Sequence, residues 1–186
     1  MKGTSQTVDD GAYAHLQRGT TLPEVSLPAT TGETLDIVSP AEFTALFLYP
    51  MTGTPGQPLP EGWLELPGAY GCTAESCGYR DLARELDRAG ARVYGVSTQT
   101  RAEQSEFAER EQINYPMLSD AERRLVDAMR LPLLEIPGEP PRIKRATLIV
   151  NRTRELREVM YPIPDPGANA VHALETVRRL ATTRPG

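Results

Sequence analysis

Residues 50–71 carry five prolines and five glycines, lodged between a continuous apolar run, Ala45-Leu46-Phe47-Leu48-Tyr49, and a helical pattern that gathers from Tyr79 onward. Proline fixes φ and removes a backbone donor, and glycine weakens any regular element, so no helix or central strand persists through that spacing. The chain is thereby constrained to a strand, an irregular segment and a helix, in that order. The run ended by Pro50 reads as a strand buried on both faces. In the helix, Tyr79, Leu82, Ala83, Leu86 and Ala89 share one face at three- and four-residue steps.

Both cysteines of the protein, Cys72 and Cys77, lie at that junction. A helix beginning at Cys72 puts it on the same face as Tyr79, seven residues on. A thiol in the first turn meets the positive end of the helix dipole and unpaired backbone N–H groups. That setting favours the thiolate, which is the reactive form, and reads Cys72 as a nucleophile and Cys77 as the thiol that captures its oxidised product. Five residues of helix separate the pair by about 140° and roughly 7.5 Å of rise, hence Cα atoms roughly 8–9 Å apart. A disulfide rarely spans more than about 7 Å between Cα atoms, so the two cannot bond while the helix is wound and can if its first turns unwind. A metal site is the weaker reading, because the two histidines, His15 and His172, are distant in sequence and there is no third cysteine.

At 186 residues and 39% apolar, the chain is long enough for one domain with a sizeable core. A net charge of −5 and a pI near 5.2 argue against nucleic acid or an anionic membrane as partner. No 18-residue apolar run is present, and residues 1–10 lack the apolar core of a signal peptide. The expectation is a cytoplasmic, reducing setting, where a catalytic cysteine pair is favoured over a permanent bridge. Residues 1–20 read as a polar segment that wanders over the surface, with His15 exposed.

The remaining elements follow by pattern. Val25 to Ile37 reads as a β-hairpin around a turn containing Gly32, and Ala91–Ser97 as a strand. Thr100 opens a helix to Gln112 as its cap, with Glu103 three residues on. Tyr115–Asp120 reads as a connector, Ser119 as the cap of a helix over Glu122–Met129, and Leu131–Pro141 as a second Pro-rich loop. Arg145–Asn151 and Glu155–Met160 read as paired strands, and a last helix carries Ala170, Leu174, Val177 and Ala181 on one face. The order gives an α/β fold with a mixed sheet.

Cys72-Thr73-Ala74-Glu75-Ser76-Cys77, followed by Tyr79-Arg80-Asp81, resembles the active-site helix of peroxiredoxins, in particular the bacterioferritin-comigratory (Q-type) subfamily. The resemblance runs from Leu22 to about Leu180. It implies a thioredoxin-like fold, with a mixed central sheet flanked by helices and an N-terminal β-hairpin. Residues 21–186 then form a single domain with an inserted Pro/Gly-rich loop at 57–71. It also implies a thiol-dependent peroxidase that reduces hydrogen peroxide or organic hydroperoxides. In that family Cys72 becomes a sulfenic acid, Cys77 condenses with it, and an external dithiol protein, thioredoxin- or glutaredoxin-like, reduces the disulfide. No cofactor or metal is implied.

The same resemblance assigns further site residues. Arg145 matches the arginine before the late core strand, Glu75 a position that orients an arginine, and Pro50 the proline that shields the thiolate. The family strand ends in Pro-x-x-x-Thr-Pro-Gly with the cysteine following at once. Here Pro50 to Gly56 match, and fifteen further residues intervene before Cys72. A gapped alignment keeps Thr54 at the site; a contiguous one puts Ala69, which has no hydroxyl, in its place. The gapped alignment is preferred because Pro50 and Thr54-Pro55-Gly56 match together. A redox sensor that uses the pair as a switch, and a thiol–disulfide exchanger, are the alternative functions on the same fold.

Overall fold

Strand β3 (Phe43–Leu48) is the centre of the molecule, and all six of its residues are buried. Successive side chains of a strand point to opposite faces, so a strand buried along its whole length must be covered on both. Ala45, Phe47 and Tyr49 meet one core, with Cys72, Tyr79, Leu86, Phe107 and Ala170. Leu46 and Leu48 meet the other, with Tyr13, Leu125, Met129 and Leu148. The computed structural model describes residues 8–183.

Before β3 comes the expected hairpin, β1 (Ser26–Pro28) antiparallel to β2 (Thr34–Asp36). After it the chain runs through helix α1 (Cys72–Arg88), strand β4 (Ala91–Ser97), helix α2 (Arg101–Arg110), strand β5 (Met117–Ser119) and helix α3 (Arg124–Met129). There follow β6 (Leu133–Leu134), β7 (Arg142–Ile143), β8 (Ala146–Asn151), β9 (Leu156–Met160) and, after a 3-10 turn at Pro166–Ala168, helix α4 (Asn169–Thr182). The main sheet has the order β5-β4-β3-β8-β9, with β3, β4 and β5 parallel and β8 and β9 antiparallel to their neighbours. This is the thioredoxin-like α/β arrangement, a mixed sheet with helices on both faces and an N-terminal hairpin.

Four local expectations are corrected. Tyr115–Asp120 is not a mere connector: Met117–Ser119 adds a parallel edge strand to β4, and three residues are too few to show a period. Ser119 does not cap α3, because its hydroxyl donates to the Gln99 carbonyl at 2.6 Å. The carboxylate of Asp120 accepts from the N–H groups of Leu125 and Val126 instead. The Leu131–Pro141 loop contains β6, which pairs with β7 across its prolines.

The fourth concerns the N-terminal segment. Residues 1–7 lie outside the described residues, but 8–20 pack on the domain, with Tyr13 and Leu16 buried. The Gly19 N–H donates to the Leu156 carbonyl and the Leu156 N–H to Thr20, so the segment lies along β9. Two apolar residues three apart were too few to signal this. His15 is exposed as expected, with Nε2 3.1 Å from the Met129 carbonyl.

Candidate active site

Helix α1 opens at Cys72 because Gly71 ends the irregular segment in a left-handed conformation, φ 103°. A Cβ at Gly71 would stand 2.7 Å from the Pro166 ring, so both the backbone angle and the packing require glycine. No side chain caps the helix. Deeper in, the ring of Tyr79 stacks on Phe47 at 4.4 Å and pins the helix to the sheet. Gly95, opposite Phe47 on β4, leaves the room for that ring: a Cβ there would come within 2.7 Å of it.

Cys72 is 4% exposed and its thiol donates to the Ala69 carbonyl at 3.6 Å. Arg145, immediately before β8 and 3% exposed, donates from Nη2 to Cys72 Sγ at 3.1 Å. The same nitrogen donates to the carbonyls of Ala69 and Tyr70, and Nη1 pairs with Glu75 Oε2. Glu75, one turn along α1 from Cys72, is fully buried. Its other oxygen accepts from Asn169 Nδ2 at 2.7 Å, and the same Asn169 group reaches Thr147 Oγ1 at 2.9 Å. Thr147 in turn faces the Tyr79 hydroxyl at 3.1 Å. A buried chain of polar contacts thus runs from the thiol through α1 and β8 to the first residue of α4.

The electrostatics follow from this burial. Desolvation is the largest influence on the Cys72 thiol and pushes it up; the Arg145 guanidinium pulls it down, Glu75 pushes it up, and the Met51 backbone N–H favours the thiolate. Helix position alone therefore does not set the acidity of this thiol. Glu75 is pushed up to about 6 by burial, against the opposing pull of Arg145 and Asn169.

Of the residues singled out in the sequence, Cys72, Glu75 and Arg145 are brought together, and Pro50, buried at the end of β3, precedes the Met51 N–H that reaches the sulfur. Cys77 is half-buried on the next turn of α1, a free thiol like Cys72. Thr54 is not brought to the site: it is exposed, and its carbonyl closes a turn with the Gln57 N–H. Ala69 stands there instead, as the contiguous alignment had it: it is fully buried, and its carbonyl accepts from both Cys72 Sγ and Arg145 Nη2. Asn169 and Thr147 were missed. Each interrupts an apolar pattern: Asn169 sits four residues before Ala173 on the buried stripe of α4, and Thr147 shares its face of β8 with Ile149.

Residues 67–159, half of the chain, match the family model described as the AhpC/TSA family. A putative peroxiredoxin of Mycobacterium tuberculosis is 30% identical over 169 residues, 89% of this chain and 98% of that protein. The chain belongs to the peroxiredoxin family. Within it, this peroxiredoxin is of the bacterioferritin-comigratory, Q-type, two-cysteine kind: peroxiredoxin Bcp of Escherichia coli K12 is 32% identical over 113 residues, 60% of this chain and 63% of Bcp. The crystal structure of peroxidoxin BcpB from Mycobacterium tuberculosis superposes with a TM-score of 0.72 at 29% identity, covering 92% of this chain and all of that one. This peroxiredoxin is accordingly a thiol peroxidase. Among the described residues no helix is long and apolar enough to cross a membrane, and no group of three or more His, Cys, Asp or Glu residues could hold a metal ion.

Proposed function

We propose that this peroxiredoxin reduces hydroperoxides through a Cys72 sulfenic acid and an intramolecular Cys72–Cys77 disulfide. The observation that carries the proposal is the Arg145 guanidinium, 3.1 Å from a buried sulfur at a helix N-terminus. Peroxide reduction needs a thiolate in line with the O–O bond and a donor for the oxygen that departs. The Cys72 thiolate attacks one oxygen: the S–O bond forms, the O–O bond breaks, and the leaving oxygen departs as an alcohol or water after taking a proton. Arg145 stabilises the thiolate first and the departing oxygen next, with a charge that does not titrate. Glu75 fixes one edge of that guanidinium so the other faces sulfur, and Asn169 with Thr147 fixes Glu75. Pro50 and Met51 close the solvent side.

The first turns of α1 then unwind. Cys77 sulfur attacks Cys72 sulfur, the S–O bond breaks, and hydroxide leaves with the thiol proton as water. A thioredoxin- or glutaredoxin-like dithiol of the cytoplasm reduces the bridge by exchange.

Mass spectrometry after one equivalent of peroxide tests this. The parent is expected to lose two protons in the peptide holding Cys72 and Cys77. The Cys77→Ser variant is expected to gain one oxygen at Cys72, and Cys72→Ser to turn over no peroxide. Parent-rate turnover by Cys72→Ser overturns the assignment.

A further inference from the structure

Cys77 occupies a setting unlike that of Cys72. It is partly exposed, and its thiol donates to Glu111 Oε2, the residue that closes α2, at 3.8 Å. The Glu111 carboxylate is itself held, since its Oε1 accepts from Arg110 Nε at 3.3 Å. The end of α2 grips this turn of α1 at two further points. Arg80 Nη1 donates to the Glu111 carbonyl at 2.7 Å, and Asn114 Nδ2 donates to the Arg80 carbonyl at 3.1 Å.

We propose that Glu111 is a positioning residue for the second half of the reaction: its carboxylate holds Cys77 as a thiol while α1 is wound, and the unwinding of α1 releases it. This rests on the reading of Cys77 as the resolving thiol. A carboxylate facing a thiol favours the protonated form, and the protonated form is the one that does not react with peroxide. The charged groups around Cys77 are Arg80 and Asp81 on α1, with Arg80 bonded to Asp81 at 2.8 Å, and Glu111, paired to Arg110, at the end of α2. Arg80 works against Glu111; burial, Glu111 and Asp81 together keep the thiol above its ordinary value. A half-exposed cysteine beside an arginine would otherwise be open to direct oxidation. When α1 unwinds, Cys77 leaves Glu111 and approaches the Cys72 sulfenic acid and the Arg145 guanidinium. The thiol proton then departs in the water formed, so Glu111 takes part in no bond change.

The test uses Cys72→Ser protein, in which Cys77 is the sole thiol and peroxidase turnover plays no part. Alkylation by iodoacetamide is followed from about pH 6 to about pH 10, a span bracketing an ordinary thiol. Adding Glu111→Gln is expected to move the midpoint down and to raise the rate at neutral pH roughly threefold or more, as the thiolate fraction rises. The rate of direct Cys77 oxidation by peroxide is expected to rise with it. An unchanged pH profile in a Glu111→Gln protein that melts like its parent overturns the proposal. If that variant melts lower, Glu111→Asp, which retains the charge, must restore the midpoint; a midpoint that follows melting temperature rather than charge also overturns it. Loss of peroxidase activity in Cys72→Ser bears on the first reading alone.

Discussion

Arg145 is the residue on which the charges of the site balance. It faces a carboxylate on one edge and a sulfur on the other, and its Nε is buried without a partner. Removing one member of such a group leaves an uncompensated buried charge. Glu75, pushed up from 4.5 to about 6 by burial, binds its proton more tightly folded than unfolded. That difference favours the folded state below about pH 4.5 and is lost as pH rises through about 6. Glu75→Gln removes the titration. Between pH 4.5 and 7 the parent is expected to lose on the order of 2 kcal/mol of stability relative to the variant, because the rise from 4.5 to about 6 belongs to a fully buried group. Urea unfolding of both proteins at the two pH values checks it; a constant difference between them refutes it. The pairing of Glu75 with Arg145 was legible only through the family resemblance, since a glutamate in a first helical turn is ordinary. Asn169 interrupts the apolar stripe of α4, but its partner could not be read locally, because Glu75 lies 94 residues away.

At the scale of elements, the irregular segment before α1 is a packed structure. Trp63, 4% exposed, joins Ala69, Leu134 and Ile136 in a small core of its own, with Met51 and Leu66 against it. The loop is thus clamped to the β6–β7 hairpin, and its last residues, Ala69 and Tyr70, hold Arg145 through their carbonyls. Trp63→Ala is expected to cost about 3 kcal/mol, as for a large aromatic lost from a core, and to speed alkylation of Cys72. Thr54→Val, at the exposed turn, is expected to leave the second-order rate with peroxide unchanged. Stopped-flow rates and denaturation curves for the two variants separate these effects; a Trp63→Ala protein of parent stability would show the loop to be slack. The partners of Trp63 were not legible in the sequence, because the β6–β7 hairpin has two-residue strands with no period to read.

Across the whole molecule, the start of α1 is held from two sides. The turn containing Cys72 and Glu75 is tied to the 3-10 turn and α4 through Pro166 and Asn169, and the carbonyl of Ser76 accepts from Tyr115 at 2.8 Å. The turn containing Cys77 and Arg80 is tied to the end of α2. The proposed Cys72–Cys77 bridge would break both sets of contacts while leaving β3, β4 and β8 paired. Hydrogen exchange after oxidation is therefore expected to quicken at 72–80 and at 166–170, and to stay slow in those three strands. Equal protection of 72–80 in the reduced and oxidised proteins would mean that α1 does not unwind.

What the sequence by itself determined is what local chemistry and short periods encode. The apolar run ended by Pro50, the strand at Ala91–Ser97, the Thr100–Glu103 cap and the stripe of α4 each specify one element through residues that lie within it. The placing of Cys72 at a helix start belongs to the same class, since glycine and proline spacing leaves the helix no earlier beginning. Tertiary structure alone decided which polar groups meet. Asn169 to Glu75, Glu111 to Cys77, Asp120 to the α3 N–H groups, and Ala69 rather than Thr54 at the thiol all depend on how loops and helix ends pack against one another. A buried polar group must find a partner wherever packing brings one, and that partner can stand anywhere along the chain.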